Sequence, residues 1–291
     1  MKNFIWGLTA GLCLMACRSE SEKIAEEDPK ELAEVEQIAF DLEEAFNTYQ
    51  PYEIKSIFDP SLFAWRLGND FKNLTPTDRQ LGYSVFDSRF DALIDESMMI
   101  LREGNMEATL FDIHQKDQVY RLNYAFNNRE NNKVYDHLTV YLDKNRDQEW
   151  KIVNIYNVFY GFSYGQMMKE YVDRYVISGS RGRMRELENS SIIRDRSLRM
   201  ALDSSAEQAY ELIKTLPNHH QKQSIFAFSR LRIAALVSDS LLVEELDWMR
   251  QVTPNEQSRI AYDCRSLALS GADEDRQKEC QNRLEELLRS L

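Results

Sequence analysis

The stretch from Val119 to Phe162 constrains this chain more than any other. Three segments, Val119 to Phe126, Val134 to Leu142 and Trp150 to Phe159, are separated by the polar runs Asn127 to Asn132 and Asp143 to Asp147. In the middle segment Val134, Asp136, Leu138, Val140 and Leu142 share one face, and Tyr135, His137, Thr139 and Tyr141 share the other. A period of two in β-branched and aromatic residues predicts successive antiparallel strands, because strand side chains alternate between faces. Asp136 is the exception on its face. A carboxylate between Val134 and Leu138 is either satisfied by a hydrogen bond or functional.

Helical signals flank this core. Pro29 and Glu31 after Asp28 open a helix with a capping-box pattern, and Leu32, Val35, Ile38, Ala39, Leu42, Ala45, Phe46 and Tyr49 follow as one apolar stripe that Pro51 ends. A shorter helical piece is expected around Glu53 to Phe58. Thr75-Pro76-Thr77-Asp78 caps a second long helix carrying Leu81, Val85, Phe86, Phe90, Leu93 and Ile94, with Gly104 at its end and a first strand over Met106 to His114. Helices followed by an antiparallel sheet form an α+β pattern, with the sheet curled around the first helix.

After Gly165 the period becomes helical. Tyr164-Gly165 opens a connecting helix through Met168, Tyr171, Val172 and Tyr175, and Ser178-Gly179-Ser180-Arg181-Gly182 breaks it. Turns are expected at Ser204, Ser238 and Ala272, spaced by 34 residues, the tetratricopeptide period. Pro217 and Pro254 follow the second helix of successive pairs, and the consensus Trp, Gly and Tyr are largely absent. Such pairs stack into a solenoid whose concave face binds peptide or protein, or they pack against the sheet. The expected organisation is therefore a leader at 1–16, an acidic tether at 17–28, an α+β unit at 29–165, a connector at 166–183 and tetratricopeptide-like helices at 184–291.

The leader itself is informative. Lys2 precedes an apolar run from Phe4 to Met15, too short to span a bilayer and in keeping with a secretory signal. Leu14-Met15-Ala16-Cys17 resembles the lipobox of bacterial lipoproteins, which implies acylation of Cys17 and a lipid-anchored envelope location, the outer membrane being expected. Each buried methylene of an acyl chain contributes about 0.8 kcal/mol, so several chains anchor stably. Glu20, Glu22, Glu26, Glu27 and Asp28 make the following stretch a solvated spacer; Arg18-Ser19-Glu20-Ser21-Glu22 also resembles, weakly, a surface-export signal, so the periplasmic or surface side stays open.

Val134-Tyr135-Asp136-His137-Leu138, then Trp150-Lys151-Ile152-Val153-Asn154-Ile155-Tyr156, then Tyr160-Gly161, resemble a group of uncharacterised bacterial envelope proteins. The arrangement is also similar to the cone-shaped fold of nuclear transport factor two and its cystatin-like relatives. The resemblance implies such a cone followed by tetratricopeptide-like helices, and no established chemistry. Where those proteins tend to carry Asp, this chain has Asn154, and an amide cannot act as a general base.

Chemistry-bearing residues are few. Among the four histidines, His219-His220 follows Pro217-Asn218 and is expected in an exposed turn, and no Cys or His lies at ligand spacing, so no metal is expected. There is no nucleophile elbow, phosphate loop or dinucleotide fingerprint, and no cofactor is expected. The formal charge of −12 opposes a nucleic-acid partner, since phosphate binding needs clustered Lys and Arg. Cys264 and Cys280 flank the Gly271-Ala272 turn about equally, so they either form a disulfide in an oxidising compartment or stay as buried thiols. Cone folds host enzymes that use a carboxylate and a tyrosine in their cavity. Here Asp136, Tyr156 and Tyr124, with Asn154 nearby, are the candidates for a pocket. The expected role is a non-catalytic binding or scaffolding module for a protein or peptide partner, with small-molecule binding or isomerase-like activity in the cone as the alternative.

Overall fold

The computed structural model describes residues 29–66, 69–116, 118–131, 134–158, 161–172, 181–203, 205–222, 224–253 and 255–291. The leader, Cys17, the acidic tether and the Asp28 cap lie outside the described residues, as do Tyr160, Ser178 to Ser180, Ser204 and Pro254. The fold is mixed α+β. Five helices come first: α1 (Pro29–Asn47), α2 (Pro51–Ser56), α3 (Pro60–Arg66), α4 (Asn69–Lys72) and α5 (Pro76–Glu103). Then come β1 (Met106–Lys116), β2 (Val119–Asn128), β3 (Val134–Lys144), β4 (Trp150–Asn157) and the two-residue β5 (Phe162–Ser163), paired antiparallel in sequence order.

The remainder is helical: α6 (Tyr164–Val172), α7 (Arg181–Leu202), α8 (Ala206–Lys214), α9 (Asn218–Gln221), α10 (Ser224–Val237), α11 (Asp239–Val252), α12 (Glu256–Leu269) and α13 (Glu274–Ser290). Two expectations are corrected here. Pro51 does not merely end α1, because it also takes the first position of α2, where its missing N–H costs nothing. Arg181 and Gly182 belong to α7 rather than to the break before it. They fall in its first turn, where N–H groups lack intrahelical acceptors and a glycine is tolerated.

The α1 stripe is buried as the pattern requires. Val35, Ala39, Leu42, Ala45 and Phe46 meet Tyr120, Leu122, Tyr124 and Phe126 of β2 in one core. Burying a side chain of this size contributes about 1.5–3 kcal/mol. Polar groups fix the register of helix on sheet: Tyr124 Oη donates to the Ala39 carbonyl (2.9 Å), and the Asn47 amide both donates to and accepts from the backbone of Ala108 (3.0 and 2.8 Å). Thr75 caps α5 by accepting from the N–H of Asp78, and α5, α2, α3 and α6 extend the same core through stacked and edge-on rings of Phe58, Phe63, Phe86, Phe90 and Tyr164.

Register shifts decide what faces where. A shift in β1 beside Phe111 leaves Leu110 and Ile113 on the same face, and one in β4 does the same for Ile152 and Ile155. An extra residue reverses the alternation downstream of it. Phe111, Tyr141, Tyr156 and Val158 thereby cluster with Ile260, Ala261, Cys264, Leu284 and Leu288 of α12 and α13. The sheet is covered on both faces, by the N-terminal helices on one and by the C-terminal hairpin on the other. His137 and Thr139 are buried in this second layer.

From α7 onward successive helices pack on their neighbours, with Ser238 capping α11 and Asp273 capping α13. Gly271 takes φ +72° between α12 and α13, a left-handed turn that glycine adopts without a Cβ clash. Cys264 and Cys280, on either side of that turn, form a disulfide with Cα atoms 5.5 Å apart.

Candidate functional site

The four candidate pocket residues are differently placed: Tyr156 and Asp136 both lie near Tyr262, whose phenol is pushed up by burial and further by these two groups, while Tyr124 and Asn154 serve the backbone elsewhere. Tyr124 points into the core against Ala39, and burial, with the nearby charge of Glu43, pushes its phenol well above the usual range. Asn154 is structural: its Oδ1 accepts from the N–H of Gly165 (2.9 Å) and of Ile155 (3.0 Å), tying β4 to the start of α6. Tyr156 lies on the opposite face of the sheet, its Oη 2.7 Å from Ser258 Oγ and accepting from the Asn255 amide (3.2 Å). Its phenol is likewise raised by burial. Next to it Gly161 has φ +71°, and a Cβ there would come within 2.8 Å of Tyr262 Oη.

Asp136 lines a hollow. It sits near the start of β3, opposite Phe126. Its Oδ1 accepts from the N–H of His137 (2.7 Å) and its Oδ2 from the Asn157 amide (2.6 Å), which fix the carboxylate in one orientation. In front of it opens a cleft of about 250 Å³. One wall is Ile100 and Leu101 of α5, Met106 of β1 and Phe126 of β2; the other is Leu231 and Ala235 of α10 with Leu242 of α11. Arg232 of α10 and Arg265 of α12 complete it. Asp136 and Arg265 also line a smaller hollow of about 10 Å³ that runs under the C-terminal hairpin beside His137 and Gln281, room for about one water.

Comparison with models of protein families, with curated proteins and with solved structures found no match.

Neither arginine of the cleft stands out from spacing alone, yet one signal is legible. Arg230 and Arg232 interrupt α10, the most apolar of the C-terminal helices, and a guanidinium among apolar side chains requires a partner or a wet cavity. The structure answers each differently. Arg230 is sealed in: its Nε lies 2.7 Å from Glu245 Oε2, its other nitrogens donate to Glu245 Oε1 and to Gln221, and its plane lies over Trp248. Tyr210 also donates to Glu245, and burial, aided by that carboxylate, pushes its phenol up to about 12. Arg232 has a partner too, and it also lines the cleft.

The histidines are also redistributed. His219 is exposed, but His220 is buried against Phe226, which corrects the expected exposed turn; the short α9 rotates the second imidazole inward. His137 is 2% exposed, edge-on to Phe111 and 3.9 Å from Glu285 of α13. That imidazole above all, with Arg289 adding, holds the Glu285 carboxyl below the ordinary glutamate range despite partial burial. Among the described residues no group of three or more His, Cys, Asp or Glu is placed to hold a metal ion, and no helix is long and apolar enough to cross a membrane.

Proposed function

We propose that this is a lipid-anchored cell-envelope protein, acylated on Cys17, that acts as a non-catalytic binding module for a protein or peptide partner. In this reading residues 29–165 form a nuclear-transport-factor-two-like unit and 184–291 a tetratricopeptide-like one, and the partner engages the cleft between them. The observation that carries it is the cleft itself: apolar walls from α5, β1, β2, α10 and α11 around a few oriented polar groups, the usual make-up of a recognition site. Among the described residues that line this cleft none is a tyrosine, serine, cysteine or histidine that could act as a nucleophile.

A photo-crosslinking residue placed at Ala235, exposed at the rim, should trap one defined partner in intact cells, while the same residue at exposed Leu81 of α5 should not. Equal products from both positions, or none, would count against the module. Labelling with an alkyne fatty acid should mark the wild type and spare Cys17→Ala; label on both would remove the anchor. Small-molecule binding or isomerase-like chemistry at Asp136 is the second reading, favoured only by the fixed orientation of that carboxylate.

A further inference from the structure

We infer that the outer edge of β1 between Asp112 and Lys116 pairs antiparallel with the same stretch of a second copy of this chain, about a two-fold axis at His114. The contact uses none of the residues that line the cleft, so it stands or falls apart from the binding module.

The backbone decides which groups are on offer. β1 is an edge strand, since the sheet runs in sequence order from β1 to β5. Its first half is closed from outside by α1: the Asn47 amide bonds the N–H and the carbonyl of Ala108 (2.8 and 3.0 Å), and Glu43 Oε2 accepts from the N–H of Leu110 (3.2 Å). Ala108 and Leu110 therefore face away from β2, as every second residue of an edge strand does. The shift beside Phe111 inserts one residue, and the outward positions pass to Ile113 and Gln115, opposite Leu122 and Tyr120. Among the described residues the outward N–H and carbonyl groups of these two have no hydrogen-bond partner. The far side of the sheet is closed, because Ile152 of β4 donates to the Ile57 carbonyl (2.8 Å) and β5 pairs with the end of β4. An edge with unpaired backbone groups is a template for another strand.

The side chains choose the occupant. An antiparallel pair centred on His114 sets Ile113 of each copy opposite Gln115 of the other, so the outward N–H and carbonyl groups of both copies satisfy one another. The same register brings Asp112 of each copy opposite Lys116 of the other, in the closely spaced kind of pair that carries no backbone hydrogen bonds. Opposite charges there are favourable and like charges are not. Both residues keep capacity for the contact. Asp112 accepts from the Asn123 amide through Oδ2 (2.9 Å), which leaves Oδ1, and the Lys116 ammonium gives one of its donors to the Leu291 carbonyl (2.8 Å). A register centred on Ile113 or on Gln115 would set Asp112 opposite His114 or Gln118 instead and lose both charge pairs. Self-complementarity of this kind is what a two-fold contact requires.

The test is oxidative crosslinking of the full chain carrying His114→Cys, with copper(II) phenanthroline as the oxidant. Across the two-fold axis the two cysteines fall in a closely spaced pair with Cα atoms about 4.5 Å apart, within reach of a disulfide. Each thiolate gives one electron to copper(II), and the thiol protons go to water. The linked dimer should form about tenfold or more faster than from Thr109→Cys, which lies where α1 covers the edge, or from the wild type, whose own cysteines give the background. Gln115→Pro, added to the His114→Cys chain, removes an N–H that β2 does not use; it should keep the thermal transition and slow linking about tenfold or more. Asp112→Lys and Lys116→Asp should each slow linking several-fold by setting like charges opposite one another, and the two variants mixed should link to each other at the original rate. This exchange tests the same register even where the proline lowers the thermal transition. Linking no faster than from Thr109→Cys overturns the inference. Linking that the proline and the charge variants leave unchanged also overturns it, as does a mixture that fails to recover.

Discussion

Glu245 and Arg230 show how much a single side chain can matter in the helical half. Glu245 is 3% exposed and receives Arg230 and Tyr210 together. Replacing it with Ala leaves a guanidinium buried among Trp248, Tyr210 and the apolar surface of α10, and should cost about 3–5 kcal/mol in a denaturant titration. Replacing both partners with Met and Leu removes the stranded charge and should recover most of the loss. Glu285 makes a different kind of claim, about pH. Its carboxyl is held below the ordinary value of 4.5 by His137 and Arg289. A depressed carboxyl contributes stability that is complete above its unfolded value and is lost as pH falls through its folded one. The melting temperature of Glu285→Gln should therefore lie below wild type at pH 6, and the gap should close as pH drops beneath 4.5; a gap that stays constant would mean the carboxylate is not involved.

At the scale of elements, Asn154 separates a chemical from a structural role. Since its Oδ1 serves the N–H groups of Ile155 and Gly165, Asn154→Asp keeps an acceptor and should change stability little. Asn154→Ala deprives Gly165 of its partner and should cost about 1–3 kcal/mol, read from the thermal transition. The same comparison shows what a sequence can disclose. Alternation in Val134 to Leu142, the Thr75 cap and Gly104 at the end of α5 act locally, so strands and long helices were legible to within a few residues. Helices α3 and α4 were not, because four to seven residues around Phe63 and Phe71 are too short to show a period, and only the aromatic cluster they complete explains them. The register shifts at Phe111 and in β4 were hidden for a related reason: one inserted residue reverses the facing of all that follow, and nothing in the local composition marks it. Asp136 was legible as an anomaly, whereas the site was not. Its lining comes from seven elements between Ile100 and Arg265, and only Asp136 on its strand and Arg232 in apolar α10 break a local pattern enough to be noticed.

For the whole molecule, the decisive feature is that the sheet's second face is covered by α12 and α13, which the Cys264–Cys280 disulfide joins. Closing a loop with a sequence separation of 16 restricts the unfolded chain and contributes about 3 kcal/mol, so reduction should lower the melting temperature, and the unreduced protein should have no free thiol from this pair. The consequence should not stay within the hairpin. Tyr156 and Val158 of the sheet region share one apolar cluster with Ala261, Leu284 and Leu288, and Tyr156 is hydrogen-bonded to Ser258 across it. Opening the hairpin would expose that cluster and leave a buried tyrosine and histidine facing water on the sheet side, so the two parts should lose protection in one step. Leu284→Ala tests this from the hairpin side of the cluster. It should cost about 2–5 kcal/mol as a buried large-to-small change, and amide hydrogen exchange should quicken together in α12 and in β4, although Leu284 belongs to neither. Faster exchange confined to α12 and α13, with β4 as protected as before, would show instead that the sheet unit stands alone and that the hairpin merely rests on it. The cleft depends on the same coupling. Arg265 reaches it from α12 and Asp136 from β3, so a protein whose halves open independently would hold its two charged walls in register only part of the time.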